Sequence, residues 1–322
     1  MRVHEAAKQL GVTPRTLRFY EEKGLIHPTK TPENKYRSYS EEDLIKLRWI
    51  ISLRELDMPL SSVHETISRI NETDIFIRTI DRTRSNLYEQ WLTATKALQA
   101  LDETISDWQR TRTPDLVQLE HAATEMKRNR MLRTSWSDQW NYDEMAILHG
   151  YDTPLAVLNG MLEEEHYYQS LVRTVEWLDP YKYENGLELA SGSGNLSSLL
   201  VQAGANLTVV EQSAEMLAII RERLPSIDAK QGNMLGLPFA TQSFSFIACT
   251  FAMHHLDPAQ QLLALEEMDR VLLNGGRIAI CDRITNHGGD SKRQLQWFRQ
   301  NGYTTVTEQL NSSAQLVFAS KP

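Results

Sequence analysis

The spacing of apolar positions changes along the chain, and each spacing predicts a different kind of element. Through Val3, Ala6, Ala7 and Leu10 the intervals are helical and end at Gly11. Thr13 then caps a second helix with Pro14 in its first turn. Helix, glycine turn and helix make a helix-turn-helix unit. Leu17 and Phe19 are expected to face inward, and Arg15, Thr16, Arg18 and Tyr20 are types suited to phosphates and base edges. Lys23-Gly24-Leu25-Ile26 closes that helix, and the polar, basic stretch from Thr29 to Ser38 predicts a β-wing. From Ile77 the steps alternate three and four residues, through Ile80, Arg84, Leu87, Trp91, Ala94, Leu98, Leu101 and Ile105 to Trp108. A heptad seam this long, interrupted only by Arg84, predicts a coiled-coil helix over 75–110 that pairs with a second copy through residues 77–108. Thr111-Arg112-Thr113-Pro114-Asp115 reads as a linker, and residues 116–180 as an amphipathic helical cap or connector.

Beyond residue 183 strand and helix alternate. Leu187-Glu188-Leu189 leads into the small-residue run Ala190-Ser191-Gly192-Ser193-Gly194, and a helix opens through Leu196, Leu199 and Leu200. Leu207–Glu211, Phe244–Phe251 and Arg277–Asp282 read as further strands. Helices are expected through Met216 to Ile220, and over Pro258–Leu272, the latter closed by Asn274-Gly275-Gly276. Repeated βα units imply a mainly parallel sheet with ligands beyond the strands' C-terminal ends.

Composition adds two constraints. Residues 1–40 hold eight Lys/Arg against four acids, so they carry +4 in a chain whose total is −8; a basic tip on an acidic protein suits a localised polyanion contact. The only two cysteines, Cys249 and Cys281, sit in apolar strand-like runs and read as buried thiols of a reducing compartment. Without an apolar run near the about 20 residues that span a bilayer, or an apolar signal core at the N-terminus, a cytoplasmic protein is expected. Glu163-Glu164-Glu165-His166 reads as a solvated helix face, and no metal is expected.

The candidate chemistry lies in the small-residue run. A strand, a tight glycine turn and a helix N-terminus expose backbone N–H groups to a ligand. Glu211, 17 residues after Gly194, ends the next strand, where an acid can accept hydrogen bonds from both ribose hydroxyls. A dinucleotide and S-adenosylmethionine both fit that much. Ala190–Asn195 lacks the third glycine of the dinucleotide fingerprint, which favours the second.

Two resemblances sharpen these readings. Thr16-Leu17-Arg18-Phe19-Tyr20-Glu21, Gly24-Leu25-Ile26-His27-Pro28, Tyr36-Arg37-Ser38-Tyr39, Asp43-Leu44, Leu53-Arg54 and Met58-Pro59-Leu60-Ser61-Ser62-Val63 occur in order. Over residues 1–70 they resemble the winged-helix head of MerR-type transcription regulators, with Asp57 where that family usually has glycine. The resemblance implies double-stranded promoter DNA as partner, with Arg15, Thr16, Arg18 and Tyr20 on the recognition helix and Arg37 on the wing. It also implies a homodimer joined by an antiparallel coiled coil.

Gly232-Asn233-Met234-Leu235-Gly236-Leu237-Pro238-Phe239, Phe251-Ala252-Met253-His254-His255-Leu256, Arg270–Gly276 and the terminal Leu316–Lys321 are similar to class I S-adenosylmethionine-dependent methyltransferases over 183–322. That similarity implies a Rossmann-like fold and S-adenosylmethionine as cofactor. Glu188 would orient its amino group, Gly192 and Gly194 give backbone access, and Glu211 hold the ribose. Gln212, Met216, Asn233 and Met234 would surround the adenine, with Ala190 and Thr250 at adjoining strand ends and Tyr142 reaching in from the cap. Ala190, Asn233 and Ser245 depart from the usual glycine, aspartate and aspartate. His255, His254 and Asp282 are candidates for proton removal. Together these readings describe a multidomain protein: an α-helical winged helix-turn-helix, a coiled-coil helix, then an α/β domain with a helical cap. Its expected function is transcription regulation joined to methylation of a small-molecule acceptor, or to non-enzymatic sensing of the cofactor or another ligand.

Overall fold

The computed structural model describes residues 1–30, 36–69, 73–112, 116–158, 160–284 and 289–322. Residues 31–35 of the expected wing and 113–115 of the expected linker lie outside them. The chain divides into two compact units, Met1–Thr83 and Arg84–Pro322.

In the first unit, α1 (Val3–Gln9) and α2 (Pro14–Glu22) meet at a turn where Gly11 takes φ +67. Thr13 caps α2, its hydroxyl oxygen accepting from Thr16 N at 3.2 Å. Strands β1 (Thr29–Lys30) and β2 (Arg37–Ser38) pair antiparallel. Helices α3 (Glu41–Glu55) and α4 (Leu60–Ser68) follow, and Asp57 between them adopts φ +58, the left-handed conformation a glycine would take. Ala6, Ala7, Leu17, Tyr20, Ile26, Leu44, Leu47 and Ile50 form a shared core.

Helix α5 runs unbroken from Thr73 to Thr111 and is followed by α6 (Leu116–Ser135), α7 (Tyr142–His149), α8 (Thr153–Leu158) and α9 (Glu164–Leu178). The remainder is α/β: β3 (Asn185–Leu189), α10 (Asn195–Gln202), β4 (Asn206–Glu211), α11 (Ala214–Arg223), β5 (Asp228–Gln231), β6 (Phe244–Thr250), α12 (Pro258–Val271), β7 (Leu272–Arg283), α13 (Gly289–Gln300), β8 (Thr304–Gln309) and β9 (Ala314–Ser320). The seven strands lie in the order β5-β4-β3-β6-β7-β9-β8. Among the described residues β9 alone runs opposite to the other six strands, pairing antiparallel with both β7 and β8.

Parallel strands buried on both sides need a helix layer on each face. One face is covered through Leu263, Leu265 and Met268 of α12 and Phe298 of α13. The other is covered through Leu171 and Leu178 of α9, Leu196 and Leu200 of α10, and Ile220 of α11. Helix α9 therefore belongs to a layer of the α/β domain, although the sequence reading placed it in the cap. A second correction concerns Asn274-Gly275-Gly276, which was expected to close a helix and instead lies inside β7, with Gly275 at φ +75. Gly186 in β3 has a steric role: a Cβ there would overlap the Phe246 ring on adjacent β6.

Candidate functional site

The turn after β3 is left-handed at three places: Ala190 (φ +51), Gly192 (φ +57) and Gly194 (φ +85), the last capping α10. Ala190 N still donates to Val210 O at 2.8 Å, so the turn begins as an extension of the β3–β4 ladder. The neighbouring strand end then pins it. Glu211 Oε2 accepts from Gly192 N at 2.8 Å, while Oε1 accepts from Gln212 N at 2.7 Å and Ser213 N at 2.8 Å. Burial outweighs these three hydrogen bonds and pushes the Glu211 carboxyl up to about 7. Glu188, in β3, is fully buried and accepts from Ser197 Oγ at 2.6 Å. Burial raises it to about 8, and it meets no cation among the described residues.

Both carboxylates line one cavity. Tyr142, Ala190, Gly192, Gln212, Met216, Asn233, Met234, Thr250 and His255 line it as well. Gly194 does not, because it has already turned into α10, where a Cβ would press on Ile220 at 3.1 Å. Asn233 Oδ1 accepts from Leu235 N at 2.9 Å and its amide donates to Gln212 Oε1 at 3.1 Å, which ties Asn233 to Gln212 at the cavity wall.

Helix α7 reaches the cavity through Tyr142. Asp138 accepts from Trp140 N and Tyr142 N at 2.9 and 2.7 Å, and Asp143 Oδ1 accepts from Ser213 Oγ at 2.6 Å. Tyr142 Oη lies 2.7 Å from His255 Nε2, and the Trp140 ring sits 4.1 Å from the imidazole, centroid to centroid. Burial, with His254 alongside, lowers His255 to about 3, so the ring is neutral at physiological pH. Its Nδ1 is buried without a hydrogen-bond partner among the described residues.

Asp282, expected among the groups for proton removal, does not line this cavity. It accepts from His254 N at 2.9 Å and contacts His254 Nδ1 at 2.6 Å, which fixes the loop after β6. Its Oδ1 also accepts from Arg283 N at 2.7 Å, so both oxygens are engaged outside the cavity. The sequence reading missed Pro154, Leu158, Tyr167, Leu196 and Phe251, which supply the apolar wall. Their signal was ordinary apolar helix and strand periodicity, which says nothing about which side chains meet.

In the first unit Arg15 and Arg18 are exposed on α2. The Thr16 hydroxyl lies 2.9 Å from that of Thr13, within the cap. Tyr20 and Phe19 exchange the places expected for them: Tyr20 is buried in the core and Phe19 is the exposed ring. Positions 17 and 20 share a helix face at three-residue spacing, whereas 19 lies two residues from 17 and points away. Tyr20 therefore supports the helix from within instead of offering its ring to DNA. Arg37 on β2 pairs with Glu21 of α2, which Lys30 also approaches at 3.2 Å.

Residues 1–70 match the family described as MerR HTH family regulatory protein, and residues 187–276 match a methyltransferase domain. An uncharacterised methyltransferase of Oceanobacillus iheyensis is 29% identical over 162 residues, covering 50% of this chain and 74% of that one. An uncharacterised methyltransferase of Mycobacterium tuberculosis is 33% identical over 128 residues, 40% of this chain and 49% of that protein. Among solved structures, N-methyltransferase NodS from Bradyrhizobium japonicum with S-adenosyl-L-homocysteine is 17% identical, with a TM-score of 0.44 over 56% of this chain and 98% of that one. Haemonchus contortus phosphoethanolamine N-methyltransferase 2 with S-adenosyl-L-methionine is 14% identical, with a TM-score of 0.45 over 57% of this chain and 59% of that one.

Proposed function

We propose that this chain, which joins a MerR-type helix-turn-helix segment at residues 1–70 to a methyltransferase domain at residues 187–276, is a cytoplasmic, dimeric DNA-binding regulator that methylates a small molecule. The observation that carries the cofactor reading is Glu188: a buried carboxylate at a cavity wall, held by one hydroxyl and lacking a cation among the described residues. An ammonium group in the cavity completes it. When bound, S-adenosylmethionine supplies an electrophilic methyl group on a sulfonium. Glu188 orients its amino end, Gly192 gives close backbone access, and Glu211 faces the ribose with the lone pairs its three N–H donors leave. Gln212, Asn233, Met216 and Met234 enclose the base. Methyl transfer is an in-line displacement, so these residues act mainly by fixing distance and direction. Tyr142 holds His255 against the cavity, where its neutral ring faces an acceptor bound along the apolar wall.

One observation favours the second reading, a non-enzymatic sensor. Among the described residues His255 is the one titratable group lining the cavity besides the two carboxylates and tyrosines Tyr142 and Tyr167, and at about 3 it is a weak base. The sensor reading needs no proton removal.

Calorimetry with S-adenosylmethionine and S-adenosylhomocysteine tests the cofactor; absence of binding at millimolar concentration sinks it. Incubation with methyl-labelled cofactor and a metabolite extract separates the readings. Label passing to a small molecule supports the enzyme. A bound cofactor that alters promoter affinity but is never consumed supports the sensor.

A further inference from the structure

The stretch made of the end of β5 and the segment after it, residues 231–237, has two faces. Inward, Asn233 and Met234 line the cavity, and Gln231 Nε2 donates to Gln212 O at 3.1 Å. Outward, its carbonyls are gripped by side chains from the two helices that precede the sheet. Ser85 Oγ of α5 donates to Gln231 O, and Arg133 Nε of α6 donates to Leu235 O at 2.7 Å. At the far end, Leu237 N donates to Glu267 Oε2 at 2.9 Å, and Lys96 of α5 lies 3.8 Å from the other oxygen of that carboxylate. Arg133 is wedged against backbone: a Cβ on Gly236 would stand 3.1 Å from its Nε, and its Nη2 is buried without a partner among the described residues.

We infer that residues 231–237 link occupancy of the nucleoside cavity to the state of α5, with Ser85 and Arg133 as positioning residues. The inference rests on the cofactor reading above. A ligand that draws Asn233 and Met234 toward itself also moves the carbonyls of Gln231 and Leu235. Leaving Ser85 or Arg133 behind breaks partly buried hydrogen bonds, one of them to a charged donor, so the helices follow or resist. Either response is a difference in binding free energy between two states of the helix, which is what a linkage requires. Helix α5 carries both contacts, at Ser85 and Lys96, and continues without a break to Thr73, inside the unit that ends at Thr83. Linkage is reciprocal: whatever restrains α5 alters ligand affinity by the same factor that the ligand alters α5.

Hydrogen exchange on the full chain, with and without saturating S-adenosylhomocysteine, reads this directly. Amides of residues 84–96 are expected to change their exchange rates about fivefold or more, the lower end of ordinary coupling. In Arg133→Gln combined with Ser85→Ala, at ligand concentrations reset to saturate, the response at 84–96 falls below about twofold. Ser85→Ala alone, which removes one hydroxyl, weakens it without threatening the fold. Calorimetry of the same samples separates the two ways to fail. Ligand bound with unchanged exchange at 84–96, or a response that survives in the double variant, overturns the linkage alone; no binding overturns the cofactor reading and the linkage with it.

Discussion

Ala190 holds a left-handed backbone at φ +51 where a glycine would be unstrained. The penalty for an L-residue with Cβ is about 1–2 kcal/mol, partly offset by the lower chain entropy of alanine in the unfolded state. Ala190→Gly is therefore expected to stabilise the protein by about 1 kcal/mol, read as a rise in the urea midpoint with an unchanged slope. Asp57, at φ +58, gains less from the same change because aspartate tolerates this region better. The buried carboxylates give a pH prediction. Glu188 is raised by burial from 4.5 to about 8, so stability present below 4.5 is lost as pH rises toward 8 in the empty protein. A cationic ligand reverses the preference. Between pH of about 6 and about 8, S-adenosylhomocysteine binding should strengthen by up to about tenfold per unit, with proton release visible in buffers of different ionisation enthalpy. Binding that is flat over that window would remove Glu188 from contact with the ammonium.

At the scale of the element, α5 forms as one helix from Thr73 to Thr111, as its apolar spacing implied. Leu98, Leu101, Ile105 and Trp108 of the heptad seam are 45–61% exposed, which a partner helix would cover. The proposed dimer is tested there: Leu98→Asp with Leu101→Asp should yield a monomer by light scattering, with the far-ultraviolet helix signal largely retained. Dimers that persist would move the interface elsewhere. In α2, periodicity located the helix but misassigned two rings, because an amphipathic stripe drawn through Leu17 fits Phe19 poorly and Tyr20 well. Asp282 illustrates the complementary limit. Its place near a strand end was legible, but its engagement with His254 depended on the loop conformation after β6.

For the whole molecule, the proposed DNA contact belongs to two heads acting on one duplex, since phosphate contacts supply affinity that falls with salt. Arg18→Ala should weaken promoter binding and lower the slope of log affinity against log salt by about one per head. Gel shifts across salt concentrations giving an unchanged slope would take Arg18 off the phosphates. The helix-turn-helix, the long helix, the strands carrying Glu188 and Glu211 and the glycine turn were legible from local pattern, because periodicity, turn chemistry and spacing act over a few residues; the short β5 and the edge strand β8 carry no such run and were not. Tertiary structure alone decided which apolar side chains wall the cavity, that Asp282 serves His254, and that Ser85 and Arg133 hold the segment after β5 from outside. Those contacts join residues separated by 28, 146 and 102 positions, and only the closing of the sheet and the packing of its helices brings them together.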